Sequence, residues 1–173
     1  WSQAVRDAAQ AQGPIRPIEY RVICKNGSER IVEISGITLG EEFLATLIDV
    51  TERRQEQALL EFSNAILEHI SLGEPLPMIL DFIAREIETN DPEMRCSVLL
   101  LGEEGQYLRH GAAPSLPAPY SSAIDGVEIG PVVGSCGTAA YRKEAVFVAD
   151  IATDPLWAAY KDVALAHGLA ACW

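Results

Sequence analysis

Five consecutive residues of this chain, Ser135-Cys136-Gly137-Thr138-Ala139, put a hydroxyl, a thiol and small side chains at what reads as the start of a helix. Ser135 is expected to N-cap a short helix containing Gly137 to Arg142. The free backbone N–H groups and dipole of such a terminus favour an anionic or carbonyl-bearing ligand. The plainer reading is the favoured one: Gly134 and Gly137 serve turn geometry and packing, and Ser135 only caps. Cys136 beside that terminus should have a lowered pKa, yet a small packed thiol is preferred over a reactive one. Trp157, Tyr160 and His167 fall on an expected helix from Leu156 to His167. Trp157 and Tyr160, three residues apart, share a face and are read as core before pocket wall. Asp150 and Asp154 flank a loop where a cation is conceivable, but capping before Pro155 is the favoured use. No acidic pair is spaced for acid–base work, and no catalytic residue is assigned.

The remaining chemistry-bearing residues are scattered. Cys24, Cys96, Cys136 and Cys172 lie tens of residues apart without a C-x-x-C, which reads as thiols and not a disulfide scaffold. His69, His110 and His167 match no metal-ligand spacing, so no metal site is indicated, and no cofactor is named by the sequence. Against 13 Lys and Arg stand 25 Asp and Glu, a net charge of −12 that repels polyanions. Nucleic acid and anionic membranes are therefore not expected partners. No apolar run approaches the roughly 18 residues of a bilayer span. Trp1-Ser2-Gln3-Ala4 resembles no signal peptide, and a cytoplasmic location is expected.

The positioning elements begin with a short Ala- and Gln-rich helix over Ser2–Gln12, stopped by Gly13-Pro14. Alternating residues from Glu19 to Cys24 and from Glu29 to Ile37 flank Asn26-Gly27, which predicts a hairpin with a type I′ turn. A third strand is expected over Phe43–Val50. Strand then turns into helix at Asp49-Val50-Thr51-Glu52, where Asp49 and Glu52 have capping-box spacing. Through Ile70 the chain reads as helix, with Leu59, Phe62, Ile66 and His69 or Ile70 stepping by threes and fours. That narrow stripe suits parallel pairing with a second copy as well as packing on its own domain.

A second helix is expected from Leu76, with Leu76, Ile79, Leu80, Ile83 and Ile87 at helical spacing, ending at Asn90-Asp91-Pro92. Cys96–Leu101 reads as a buried strand and Gln106–Ala112 as its partner. Three prolines make Ala113–Tyr120 irregular and exposed. Short strands are expected at Ile124–Ile129 and Ala145–Ala149, with Gly168 at the C′ position of the late helix and Leu169–Trp173 opening another strand. The chain starts without Met beside an uncovered amphipathic helix and stops inside a strand, which reads as a piece of a longer protein.

Residues 15 to 54 resemble the C-terminal half of a PAS domain. The resemblance rests on Tyr20-Arg21-Val22, the turn Lys25-Asn26-Gly27-Ser28, Val32-Glu33-Ile34-Ser35 and Asp49-Val50-Thr51-Glu52-Arg53, which is similar to the D-[IV]-T-E-R signature leading into output helices. Residues 75 to 173 resemble a GAF domain through Cys96–Leu101, Gly134 to Arg142, Val148-Ala149-Asp150-Ile151 and Asp154-Pro155-Leu156-Trp157. The PAS half lacks the strands and helices that wall that family's pocket, and the GAF half lacks its last strands and closing helix.

The resemblance implies an α+β chain of antiparallel sheets with flanking helices: part of a PAS fold over 1–54, a signalling helix over 55–74 and a truncated GAF fold over 75–173. It implies sensing and relay in a bacterial signalling protein, as a homodimer, with a small-molecule ligand in the GAF pocket and a covalently linked output domain. Ligand contacts would come from Ser135, Cys136, Gly137, Thr138, Asp150, Trp157 and Tyr160. Relay would run through Asp49, Thr51, Glu52, Leu59, Phe62 and Ile66. No GGDEF, EAL or kinase motif is present, so a diguanylate cyclase, phosphodiesterase or histidine-kinase activity would belong to the parent and not to these residues. The run from Gly134 to Ala139 is also similar to GAF-fold free methionine-R-sulfoxide reductases, which leaves a thiol enzyme, or a purely structural dimerising module, as alternatives.

Overall fold

A computed structural model describes residues 15–39 and 42–173; the expected helix over Ser2–Gln12 lies outside the described residues. The fold is mixed α+β. Among the described residues are a three-stranded and a two-stranded antiparallel sheet and five α-helices. The chain divides into two compact units between Leu67 and Glu68, inside the long helix.

In the first unit β1 (Ile15–Ile23), β2 (Glu29–Leu39) and β3 (Glu42–Asp49) form a meander. β1 begins four residues earlier than the alternation suggests. A register irregularity between Ile15 and Ile18 accommodates Pro17, which has no N–H for the ladder. The hairpin loop is not type I′. Only Gly27 has positive φ, at 83°, with Gly27 N–H donating to Cys24 O at 2.9 Å and Cys24 N–H to Ser28 O at 2.7 Å. This is a turn over Cys24–Gly27 closed by a left-handed glycine, and Asn26 Oδ1 accepts the Ser28 N–H at 3.1 Å.

Helix α1 (Thr51–Ser71) follows β3 after a single residue, Val50, which is buried and donates its N–H to Ile31 O at 2.9 Å. The expected capping box does not form as drawn. Asp49 instead accepts both the N–H (3.0 Å) and the hydroxyl (2.6 Å) of Thr51, and the Thr51 oxygen accepts the Ile31 N–H from β2 at 2.9 Å. The first helical residue is thus bonded to the middle strand. Arg54 grips Glu19 of β1 through Nε and Nη2, and Arg53 reaches Glu33 of β2 at 3.4 Å.

In the second unit α2 (Leu76–Asn90) starts with Pro77 in its first turn, where a missing N–H costs nothing. It buries Ile79 and Ala84 and packs on β5. β4 (Val98–Leu101) and β5 (Leu108–Ala112) pair antiparallel. β4 is shorter and less buried than expected, with Leu100 and Leu101 exposed. The proline-rich stretch is also corrected: Pro117 and Pro119 start helix α3 (Ala118–Ile124), and Tyr120 on it is buried.

The segment after α3 is no full strand. It runs beside β5 through a Tyr107–Glu128 bridge, and Leu108 N–H donates to Val127 O at 2.9 Å. Helix α4 spans Gly134–Arg142. Ala145–Ala149 and Leu169–Trp173 contribute only an isolated bridge between Val148 and Cys172. The single late helix expected from Leu156 is instead a 3-10 turn, Pro155–Trp157, and a short helix α5, Lys161–Ala166, with Gly168 (φ 76°) beyond its end. Tyr120, Val148, Ile151, Trp157 and Ala164 form the core, with Leu116, Val146 and Leu169 among those packed on it.

Candidate functional site

A half-open cleft in the second unit has a cavity volume of about 40 Å³. Its walls are apolar, from Leu99 and Leu108 on the sheet to Tyr120 and Ile124 on α3, and the first turn of α4 forms its polar rim. Of the residues singled out in the sequence, Ser135, Cys136, Gly137, Trp157 and Tyr160 border this cleft; Thr138 and Asp150 do not. Trp157 and Tyr160 reach it from the 3-10 turn and the link after it, not from one helical face.

The α4 terminus is built differently from expectation. Its N-cap position is Val133, without a side-chain cap, and Ser135 lies inside the first turn. The Ser135 hydroxyl is 2% exposed and already engaged: it accepts the Trp157 indole N–H at 3.1 Å and donates to Cys172 O at 3.4 Å. Thr138, fully buried, accepts the Val133 N–H at 3.0 Å and so ties down the turn that leads into the helix. Gly134 has φ of 56°, and a Cβ there would meet the Trp157 ring at 3.7 Å; a Cβ on Gly137 would sit 2.6 Å from Val133 Cγ1. Both glycines are demanded by the geometry of the rim.

Cys136 is exposed and Cys172 half-buried. The influence of the Cys136 thiol pulls Cys172 down to about 7 against the cost of burial, with the Ser135 hydroxyl assisting. The reciprocal influence of Cys172, with desolvation, pushes Cys136 up. The lowered thiol is therefore Cys172, and a raised Cys136 suits the small packed thiol preferred over a reactive one. Burial, and then the two sulfurs, push the Tyr120 phenol up to about 12, so it stands as a neutral group beside them. Sequence reasoning missed Tyr120 and undervalued Cys172. The signal for the first was proline at helix-start positions; the second reads from the sequence only as a remotely plausible partner of Cys136 in a buried strand, because the Val148–Cys172 bridge joins segments remote in sequence.

Asp154 caps the 3-10 turn, its Oδ1 accepting Leu156 N–H at 2.8 Å, and Asp150 accepts Ala152 N–H at 3.0 Å and the Thr153 hydroxyl at 2.8 Å. Both are therefore occupied as turn acceptors. Among the described residues no group of three His, Cys, Asp or Glu is placed to hold a metal ion.

The six residues expected to carry a relay lie on or beside α1. Asp49 and Thr51 make the junction, and Glu52 is exposed in the first turn of α1. Leu59 is 64% exposed, while Phe62 and Ile66 are half-buried. No residue of α1 is fully buried, and Leu60, Leu67 and Ile70 are also exposed. No described helix is long and apolar enough to cross a membrane.

No family model matches the chain. The chain is a distant homologue of a methyl sulfide methyltransferase-associated sensor of Methanosarcina acetivorans, 34% identical over 161 residues, or 90% of this chain. It spans 16% of that relative's length. The matched stretch is long enough to include residues from both compact units.

Proposed function

We propose that this chain is the sensing and relay part of a larger cytoplasmic signalling protein: a partial PAS sheet over 1–54, a connecting helix over 55–74 and a GAF-type module over 75–173. In this reading it performs no catalysis itself. It works as a homodimer, takes a small molecule in the cleft of the GAF-type module, and passes a conformational change to a linked output domain of the cyclic-di-GMP or histidine-kinase kind. The observation that carries the relay is the junction in which Thr51, the first residue of α1, is bonded both to Asp49 and to Ile31 of the middle strand. A rod fixed to a sheet at its first residue leaves little slack to absorb a tilt.

The same reading gives the exposed stripe of α1 its use. Leu59 and Ile66 are one heptad apart, the spacing of a parallel seam. Oxidising Leu59→Cys and Ile66→Cys variants should yield dimers in which two copies of the tryptic peptide 55–85 are disulfide-linked. Absence of that linked pair in both variants overturns the homodimer. The homologous sensor supports a signalling role through its name alone.

A second reading, a thiol reductase of the free methionine-R-sulfoxide type, draws on the mutual influence of Cys136 and Cys172. Many turnovers of free methionine-R-sulfoxide per chain with dithiothreitol select it; no turnover selects the sensor.

A further inference from the structure

The hairpin tip of the first unit carries a chemistry that its role as a turn does not use. Of the three asparagines in the chain, Asn26, Asn64 and Asn90, only Asn26 is followed by glycine. Its side-chain oxygen accepts two hydrogen bonds from one neighbour, the Ser28 N–H at 3.1 Å and the Ser28 hydroxyl at 2.8 Å. A backbone N–H can only donate, so the amide oxygen, and not its nitrogen, is the atom facing Ser28. Lys25, Asn26 and Gly27 are exposed, and nothing lies within 4 Å of where a Cβ on Gly27 would stand. Water, an unhindered backbone nitrogen and a polarised amide thus meet at one place.

We propose that Asn26 is a self-modification site: it cyclises onto the Gly27 backbone nitrogen and hydrolyses to aspartate and isoaspartate, with Ser28 serving as the oxyanion hole. The proposal goes beyond the sensing reading and needs no reactant but water. Hydroxide takes the Gly27 N–H proton, and the nitrogen attacks Asn26 Cγ; the N–C bond forms and the carbonyl π pair moves onto Oδ1. Both Ser28 donors already point at the atom where that charge develops, the arrangement that stabilises a tetrahedral intermediate. Collapse breaks the Cγ–Nδ2 bond, Nδ2 leaves as ammonia with a proton from water, and a succinimide ring remains. Water opens that ring at Cγ to give aspartate, or at the main-chain carbonyl to give isoaspartate, whose chain runs on through the side-chain carbon. Amide and water become acid and ammonia, and nothing is oxidised or reduced.

One bond restrains the reaction. The Gly27 N–H donates to Cys24 O at 2.9 Å, so attack waits on the opening of that bond, and the outer end of a hairpin is where local opening is easiest. The other asparagines are held differently. Asn64 lies within α1, where the helical ladder fixes the next backbone nitrogen. Asn90 ends α2, and its amide nitrogen donates to Glu86 O at 2.9 Å. Conversion of Asn26 puts a new negative charge on the tip. The iso form also lengthens a turn that the Cys24 N–H closes onto Ser28 O at 2.7 Å, and so acts on the end of the β1–β2 ladder.

Cleavage after glutamate places Asn26 in peptide 20–29. The chain is kept at mildly alkaline pH in water enriched in heavy oxygen, sampled over time, digested at acidic pH in ordinary water and weighed. The expected product is peptide 20–29 with a heavy-oxygen acid at position 26, as a mixture of aspartate and isoaspartate, while Asn64 and Asn90 keep their amides. Ser28→Ala retains the N–H donor and loses the hydroxyl. Folded, it should convert about two- to tenfold more slowly than the parent, the factor that one hydrogen bond of ordinary net strength supplies. In urea, where the hole is gone, variant and parent should convert alike. Full retention of the Asn26 amide, a folded Ser28→Ala that converts as fast as the parent, or an equal slowing in urea overturns the proposal, and none of these bears on whether the cleft binds a ligand.

Discussion

The two units hold themselves together in different ways. In the second unit, Tyr120, Val148, Ile151, Trp157 and Ala164 are all buried and their contacts make a core. Among the described residues of the first unit Val50 is the buried large apolar side chain, while Ile23, Leu44, Leu47 and Ile48 are exposed. That unit relies on the ladder between three strands and on the bonds that seat α1 on the sheet. A cored unit can shape a cleft; a laddered one with its helix fixed at the first residue can transmit a tilt.

The sharpest way to separate the two modes is to remove one buried ring. Trp157→Ala deletes a core indole and leaves the Ser135 hydroxyl without its donor, which should cost about 3–5 kcal/mol. Urea unfolding followed by hydrogen exchange should show the second unit lost first, with the β1–β2–β3 ladder still protected. Equal loss in both units would erase the contrast.

Next in size is the junction. Thr51→Val keeps the shape but leaves the Ile31 N–H without its acceptor and the Asp49 carboxylate with only the backbone N–H of residue 51, an expected cost of about 1–3 kcal/mol confined to the first unit. Thr51→Ser should restore most of it in the same denaturation series. A valine variant as stable as the parent would show that the helix is seated by something else.

Acid should act on the first unit in the same direction and more weakly. The Thr51 hydroxyl, then its N–H, hold the Asp49 carboxyl below its ordinary value of 3.8. Its contribution is complete above that value and is lost as pH falls through the lower folded value. Far-ultraviolet circular dichroism below pH 4 should show Asp49→Asn less acid-sensitive than the parent; identical acid curves would remove Asp49 from the junction.

Alkylation tests the cleft with no demand on stability. Iodoacetamide labelling of Cys172 should rise through pH about 7 and precede that of Cys136, because the first proton leaves the pair from Cys172. Cys136 labelling first would reverse the assignment of the lowered thiol.

Much of this was legible because local pattern and tertiary demand agree. Alternation marked β1 and β2, Asn26-Gly27 marked the hairpin, and the Asp49–Glu52 spacing placed the helix start at the end of β3. Failures occur where local signals have several solutions. Pro117 and Pro119 break structure in the middle of an element but fit the first turn of one, so α3 and the burial of Tyr120 were hidden. Ala145–Ala149 has strand composition, yet only Val148 finds a ladder partner. Trp157 and Tyr160 have helical spacing but sit in a 3-10 turn and the link beyond it, where Asp154 supplies the cap that the sequence did suggest.

Amide exchange at three positions tests directly whether helix and sheet are one piece. The N–H groups of Ile31, Val50 and Arg54 donate to Thr51 Oγ1, Ile31 O and Val50 O respectively. They should exchange as slowly as the interior amides of β2, and Thr51→Val should speed Ile31 selectively. Exchange of all three at the rate of an unstructured peptide, with β2 still protected, would mean that the helix swings free of the sheet and that no tilt can pass along it.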